Sequence, residues 1–185
     1  DKQKKQKIGI VIKQGISENP AKIVYLAIGS NLGNKRINIE KAKFFLQEYP
    51  IKIQYSSSYY ETLSWPNSNH PKFLNIVVKI ETTLNPKELF FIIKKIEKIL
   101  GRKVSKKNYP RTCDIDIIDY DNKVFNLIIN RYLVQIPHPR LVGRNFVLMP
   151  LYEINKKWLH PKNKTKINYL IEKLGTESLR SIKQI

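Results

Sequence analysis

Residues 111–121, Arg-Thr-Cys-Asp-Ile-Asp-Ile-Ile-Asp-Tyr-Asp, hold four aspartates in a chain that has 15 acidic residues against 34 basic ones. Asp114 and Asp116 are two apart. On a β-strand such residues point to the same side, about 7 Å apart by strand rise. Cys113, Ile115 and Ile117 then point the other way, into a core. Two carboxylates placed like this can share a hard cation or hold two between them. Crowding them without a cation is costly through repulsion and lost hydration. Residue type alone leaves a second reading open, of two solvent-facing aspartates on an edge strand beside lysines. Asp119 and Asp121 fall where the strand should end, and Asp suits turns because it hydrogen-bonds the local backbone.

The surrounding residues sharpen the chemistry. Arg111 precedes Asp114 by three positions, Arg102, Lys103, Lys106 and Lys107 lie just upstream, and His138, Arg140 and Arg144 follow. Metal-binding carboxylates beside guanidiniums suit a nucleoside triphosphate. Magnesium bridges phosphate oxygens, and arginine neutralises charge that shifts during transfer. The segment GSNLGNKR at 29–36 does not supply the phosphate loop. The Walker pattern needs four residues between its glycines and then Lys-Ser/Thr, whereas three separate Gly29 from Gly33 and Asn34 precedes Lys35. That segment reads as a strand-to-helix turn.

The elements that must position these residues can be read from periodicity. KIVYLAIGS (22–30) predicts a buried strand. A helix follows, with Ile37, Ala42, Phe45 and Leu46 as its apolar stripe. Residues 51–60 alternate as a half-buried strand, Ile51, Ile53 and Tyr55 on one face. Residues 72–83 form another strand, with Leu74, Ile76, Val78 and Ile80 opposite Asn75, Val77 and Lys79. The next helix has a capping box, Asn85 with Glu88, Pro86 at its first position, and Leu89, Ile92, Ile93, Ile96 and Leu100 at helical spacing before Gly101 stops it. After the acidic strand come a short apolar run, VFNLII, a proline-rich loop, a helix interrupted by Pro150, and a tail that reads as one more helix. The order βαββαβ predicts an α+β sandwich of ferredoxin-like type, with a mixed or antiparallel sheet.

Composition narrows the setting. The length suits one domain with a real core. No apolar run approaches the roughly 20 residues of a membrane span. Cys113 is the sole cysteine, so no internal disulfide forms and a reducing, cytoplasmic setting is expected. The net charge of +19 points to a polyanionic partner, although a Lys-, Ile- and Asn-rich composition also accompanies AT-rich coding DNA. A basic nucleic-acid-binding module is the rival reading. It lacks an RNP1-like sequence, and Asp114 and Asp116 would repel phosphates.

Six stretches, in order, carry a family resemblance: AIGSNLG, SSYYET, FLNIVVKIET, PRTCDIDII, IPHPR and RNFVLMPLYEI. Over residues 23–160 they resemble 6-hydroxymethyl-7,8-dihydropterin pyrophosphokinase of folate synthesis, which transfers pyrophosphate from ATP to a reduced pterin and releases AMP. The resemblance implies two Mg²⁺ ions on Asp114 and Asp116, with Arg102 and Arg111 assisting catalysis. It implies ATP contacts from Glu97, Arg102, Arg111, Ile117, His138 and Arg144. It implies a pterin pocket from Thr62, Leu63, Trp65, Phe73, Asn75 and Phe146, with no nucleic-acid or membrane partner. The chemistry of the residues agrees: aromatic walls stack on a flat heterocycle, and an Asn amide offers both donor and acceptor. Two departures stand out. Asn108 and Tyr109 replace the Trp-Gly that usually precedes Pro-Arg-Thr, and Leu63, Ser64 and Pro66 fill a loop that usually carries prolines and a glycine. The basic loop from Lys103 to Tyr109 is the expected lid. On this reading residues 1–21 are a basic tail or linker, 22–160 the pyrophosphokinase domain and 161–185 a helical extension. The missing Met and the IGIVIK segment suggest one piece of a fused folate-pathway chain.

Overall fold

The computed structural model describes residues 20–64, 67–102 and 109–185. The IGIVIK segment, Trp65 and most of the basic loop lie outside the described residues. The chain forms β1 (Lys22–Ser30), α1 (Lys35–Gln47), β2 (Ile51–Ser56), β3 (Tyr60–Thr62), β4 (Phe73–Thr82), α2 (Pro86–Ile99), β5 (Asp114–Tyr120), β6 (Phe125–Ile129), β7 (Tyr132–Ile136), α3 (Asn145–Ile154), α4 (Ile167–Glu172), α5 (Thr176–Arg180) and β8 (Ile182–Gln184). The main sheet runs β5-β1-β4-β3-β8, with β2 also on β4, and every pairing is antiparallel. This is the ferredoxin-like α+β sandwich.

Both faces of the sheet are covered. On one face Leu26, Ile28, Ile76, Ile80 and Ile115 pack against Ile39, Ala42 and Leu46 of α1 and Leu89, Ile93 and Ile96 of α2. On the other, Tyr25, Val77 and Ile118 meet Val147, Leu148 and Leu151 of α3, together with Trp158, Ile167 and Leu170. α2 forms as its sequence demands. The Asn85 side chain accepts from the Lys87 and Glu88 amides, Glu88 answers on the Asn85 amide, and Gly101 ends the helix at φ +82°.

Four local expectations are corrected. In α1 the buried positions are Ile39, Ala42 and Leu46, and Ile37 in the first turn is exposed. The strand expected over 51–60 splits into β2 and β3. A register shift between Ile53 and Tyr55 turns Tyr55 out to solvent, where Lys79 lies over its ring. Pro150 sits inside α3 without ending it; buried neighbours Val147, Leu148 and Leu151 hold the helix against the sheet. The tail is not one helix. Gly175, at φ +75°, separates α4 from α5, and β8 then adds a strand to β3.

Candidate active site

The site begins with the register of β5 on β1. Asp114 lies opposite Gly29 and Asp116 opposite Ala27, while Cys113, Ile115 and Ile117 enter the core. Burial, with Glu97 and Asp114 nearby, pushes the Cys113 thiol up to about 12, so it stays a protonated core residue. Asp114 and Asp116 keep about a quarter to a third of their side chains exposed. Arg102 donates to Asp114 Oδ1 at 2.6 Å and Arg111 to Oδ2 at 3.0 Å. Burial alone would raise the Asp114 pKa; the two guanidiniums outweigh it and hold the carboxyl below its usual value. Asp116 Oδ2 accepts from Arg144 at 2.8 Å, with His138 Nε2 4.0 Å away. Burial lowers the His138 pKa despite Asp116, and Arg144 and Arg140 push the same way, so its neutral form is favoured.

Glu97 reaches this cluster from behind. It is 2% exposed, and Oε1 accepts from the Ile115 amide (2.8 Å) and Arg102 (2.5 Å) while Oε2 accepts from Lys94 (2.9 Å). Burial raises its pKa against the pull of Lys94 and Arg102. Glu97 therefore ties α2 to β5 and aims Arg102 at Asp114. Arg111 Nε and Thr112 Oγ1 are buried with no partner among the described residues. A buried donor in that position is suited to an incoming acceptor.

Asp119 makes the turn hydrogen bond expected of it, accepting from the Asn122 amide, but is also drawn into the core. The strand bulges between Asp119 and Ile117, the partners of Tyr25 and Leu26, so Ile118 and Asp119 both meet the α3 side of the sheet. Asp119 is buried there and accepts from Trp158 Nε1 (2.8 Å) and the Asn122 amide (2.9 Å). Burial raises its pKa, opposed by those two bonds. Asp121 does sit in the turn, at φ +55°, paired with Lys22 and Lys123.

A cavity of about 220 Å³ opens between α2, β5 and β7. Phe90, Ile93, Ile117 and Leu133 give it apolar walls, and Lys94, Asp116, Gln135 and His138 line it as well. β7 makes one wall, and the sequence reading did not find it. Its signal was the hairpin turn Asn130-Arg131, both at positive φ, between Ile129 and Tyr132.

Of the residues expected around a pterin, Thr62, Phe73 and Asn75 lie together on β3 and β4. Asn75 and Thr62 are both buried, and Asn75 Nδ2 donates to Thr62 Oγ1 at 3.1 Å. Gly29 leaves room for the Asn75 amide. A Cβ at that position would stand 2.9 Å from Asn75 Oδ1 and 3.6 Å from the Phe73 ring. The Arg111 guanidinium lies 5.8 Å over the Phe73 ring, and Arg144 lies 5.5 Å over that of Phe146. Leu63 is half exposed. Trp65 is outside the described residues.

Against this geometry, a family model described as 7,8-dihydro-6-hydroxymethylpterin-pyrophosphokinase (HPPK) matches residues 25–156. The chain belongs to this family. The 2-amino-4-hydroxy-6-hydroxymethyldihydropteridine pyrophosphokinase of Aquifex aeolicus is 43% identical over 138 residues, spanning 75% of this chain and 83% of the relative. Folic acid synthesis protein fol1 of Pneumocystis carinii is 38% identical over 160 residues, 86% of this chain but 21% of the relative. The wild-type HPPK-DHPS crystal structure from Plasmodium falciparum shares the fold, with a TM-score of 0.72 at 16% identity over 91% of this chain and 45% of that one. The chain thus spans most of one pyrophosphokinase relative and a fifth to a half of these longer ones. No helix among the described residues is long and apolar enough to cross a membrane.

Asn31, Ser64 and Lys94 also belong to the site's framework and were not singled out. Lys94 had a local signal, three residues before Glu97 on one helix. Asn31 had none, because its side-chain partners lie 33, 40 and 80 residues away in sequence.

Proposed function

We propose that this site transfers pyrophosphate with ATP in the cavity between α2, β5 and β7, the pterin beside Phe73, Asn75 and Phe146, and Mg²⁺ on Asp114 and Asp116. The reaction class follows from the family: pyrophosphate passes from ATP to the hydroxymethyl group of 6-hydroxymethyl-7,8-dihydropterin in folate biosynthesis. The observation that best supports the site assignment is the pairing of both strand carboxylates with three guanidiniums, with Asp116 among the residues that line the cavity.

The donor set fits magnesium. Among the described residues no group of three or more His, Cys, Asp or Glu converges, so protein ligands alone would not complete a cage. Magnesium suits such a site, since it keeps waters and takes phosphate oxygens beside one or two carboxylates. Bound there, it would neutralise phosphate charge and lower the pKa of the attacking hydroxyl. Charge balance supports the same reading. The three arginines are already matched by Glu97, Asp114 and Asp116, so they cannot neutralise a triphosphate alone.

The chain's own residues supply position and charge. Ile117, Phe90 and Leu133 receive a flat apolar base, and neutral His138 can offer one ring N–H to a nucleotide oxygen. Once their carboxylates are shared with cations, Arg102, Arg111 and Arg144 can donate to phosphate oxygens. Arg102 stays anchored by Glu97 throughout. Asn75 and Thr62 present paired polar groups to the edge of the pterin, with Phe73 and Phe146 as walls. In-line attack on the β-phosphorus then relies mostly on holding the two substrates in register.

The longer relatives support a second part of this reading, that the chain serves as one segment of a multifunctional folate-pathway protein. The test of the activity is a coupled assay for AMP with 6-hydroxymethyl-7,8-dihydropterin. AMP release that requires both the pterin and Mg²⁺ is expected. Release of ADP, or no nucleotide turnover with the pterin, would overturn it.

A further inference from the structure

The glycine-rich turn after β1 is not a phosphate loop, and the reaction described above gives it no task. Asn31 in that turn is nevertheless 2% exposed and fully engaged. Its backbone N–H donates to the Arg111 carbonyl at 3.1 Å, and its side-chain Oδ1 accepts from the Arg111 amide at 2.8 Å. One residue thus clamps both main-chain polar groups of Arg111. Its Nδ2 donates to Ser64 Oγ and to the Pro71 carbonyl, both at 3.2 Å, and Ser64 Oγ donates to the same carbonyl at 2.6 Å.

These partners belong to two segments far apart in sequence. Arg111 carries a guanidinium that reaches Asp114 and lies over Phe73. Ser64 follows Thr62 by two residues, and Pro71 precedes Phe73 by two. Their contact therefore closes the base of the connection whose two ends carry pterin-side residues. We infer that Asn31 is a positioning residue shared by both substrate sides, registering the Arg111 main chain against the Ser64–Pro71 closure. The inference rests on the assignment of Arg111 to phosphate and of Thr62 and Phe73 to the pterin.

The chemistry selects Asn. The position needs two N–H donors and one acceptor on a short side chain. Asp accepts but cannot donate. Ser brings one donor. Gln adds a methylene that a buried site has no room for. This asymmetry allows the two halves of the role to be separated. Asn31→Asp keeps an oxygen for the Arg111 amide but sets a carboxylate against the Pro71 carbonyl and loses both donated bonds. Asn31→Ala loses both sides. Ser64→Ala weakens only the closure.

The experiment is steady-state kinetics with each substrate varied in turn, alongside melting temperature and the Kd of a non-hydrolysable ATP analogue with Mg²⁺. In Asn31→Asp the pterin KM should rise roughly 10- to 100-fold, the scale of two buried hydrogen bonds, while the ATP KM and analogue Kd stay within about twofold. Asn31→Ala should raise both KM values and lower kcat. Ser64→Ala should raise the pterin KM severalfold and leave ATP unaffected; it keeps the inference testable if the Asn31 variants do not fold. Parallel movement of both KM values in Asn31→Asp, or unchanged pterin KM in Asn31→Asp or Ser64→Ala, would overturn the inference. A wild-type protein that turns over no pterin would instead overturn the assigned function.

Discussion

Replacing Glu97 separates its structural work from its part in the site. In Glu97→Ala the Ile115 amide loses its acceptor inside the protein, at a cost of about 1–3 kcal/mol for an unsatisfied buried donor. Arg102 keeps Asp114 and is about a quarter exposed, and Lys94 is 43% exposed, so each can recover solvent or another partner; their losses add about 0–1 kcal/mol apiece. The total is about 1–5 kcal/mol. For a chain of this size that lowers Tm by roughly 2–20 °C. Glu97→Gln retains an oxygen for both the Ile115 amide and Arg102, but loses the charge toward Arg102 and puts an N–H donor where Lys94 had its acceptor. It should melt within a few degrees of wild type. Arg102 loses one of its two carboxylate anchors in the Ala variant, so the ATP KM should rise about 10-fold there and much less in Gln. Scanning calorimetry with ATP-varied kinetics reads both. Equal melting of wild type and Glu97→Ala, or a Gln variant as unstable as Ala, would refute the argument that a buried acceptor for Ile115 is what this residue provides.

Other outcomes follow from the same geometry. Asp114→Ala and Asp116→Ala should each reduce turnover by orders of magnitude with an unchanged circular dichroism spectrum; near-normal turnover in both would defeat the metal assignment. His160 is buried, and burial with Lys162 and Lys164 holds its pKa below 6.5. The folded chain then binds fewer protons there than the unfolded chain, so its contribution to stability is present above about pH 6.5 and is lost as pH falls through the lower folded value. Melting from pH 8 to 5 should show that fall, and His160→Gln should flatten it; an unchanged slope would count against it. β8 pairs Lys183 with Glu61, next to Thr62. Lys183→Pro removes a ladder N–H and should raise the pterin KM severalfold while sparing the ATP KM, which substrate-varied kinetics will read.

Legibility in the sequence tracked how local each determinant is. α2 was readable because its cap, stripe and stop all lie within one helix. So was the acidic strand, where an i,i+2 rule sets the direction of Asp114 and Asp116, and where Arg111 pairs with Asp114 three residues away. Asp119 bonds the turn as expected, but its bond to Trp158 was not legible because a bulge, invisible in the residue pattern, carried it into the second core. Ile37 was misjudged for a related reason. α1 shows several apolar positions, and only packing on the sheet decides that Ile39 faces inward. β7 and β8 depend on pairing with distant strands. The residues proposed for the pterin were named through the family resemblance, whereas Asn31 owes its contacts to partners brought together only by the fold.

The central claim is that Asp114 and Asp116 hold divalent cations against ATP. Its most direct measurement counts Mn²⁺, standing in for Mg²⁺, bound to the protein with a non-hydrolysable ATP analogue, by electron paramagnetic resonance against analogue-only controls. Two protein-dependent ions are predicted for wild type, with loss of that binding in the Asp114→Ala/Asp116→Ala double variant. An unchanged ion count in the double variant would contradict the account.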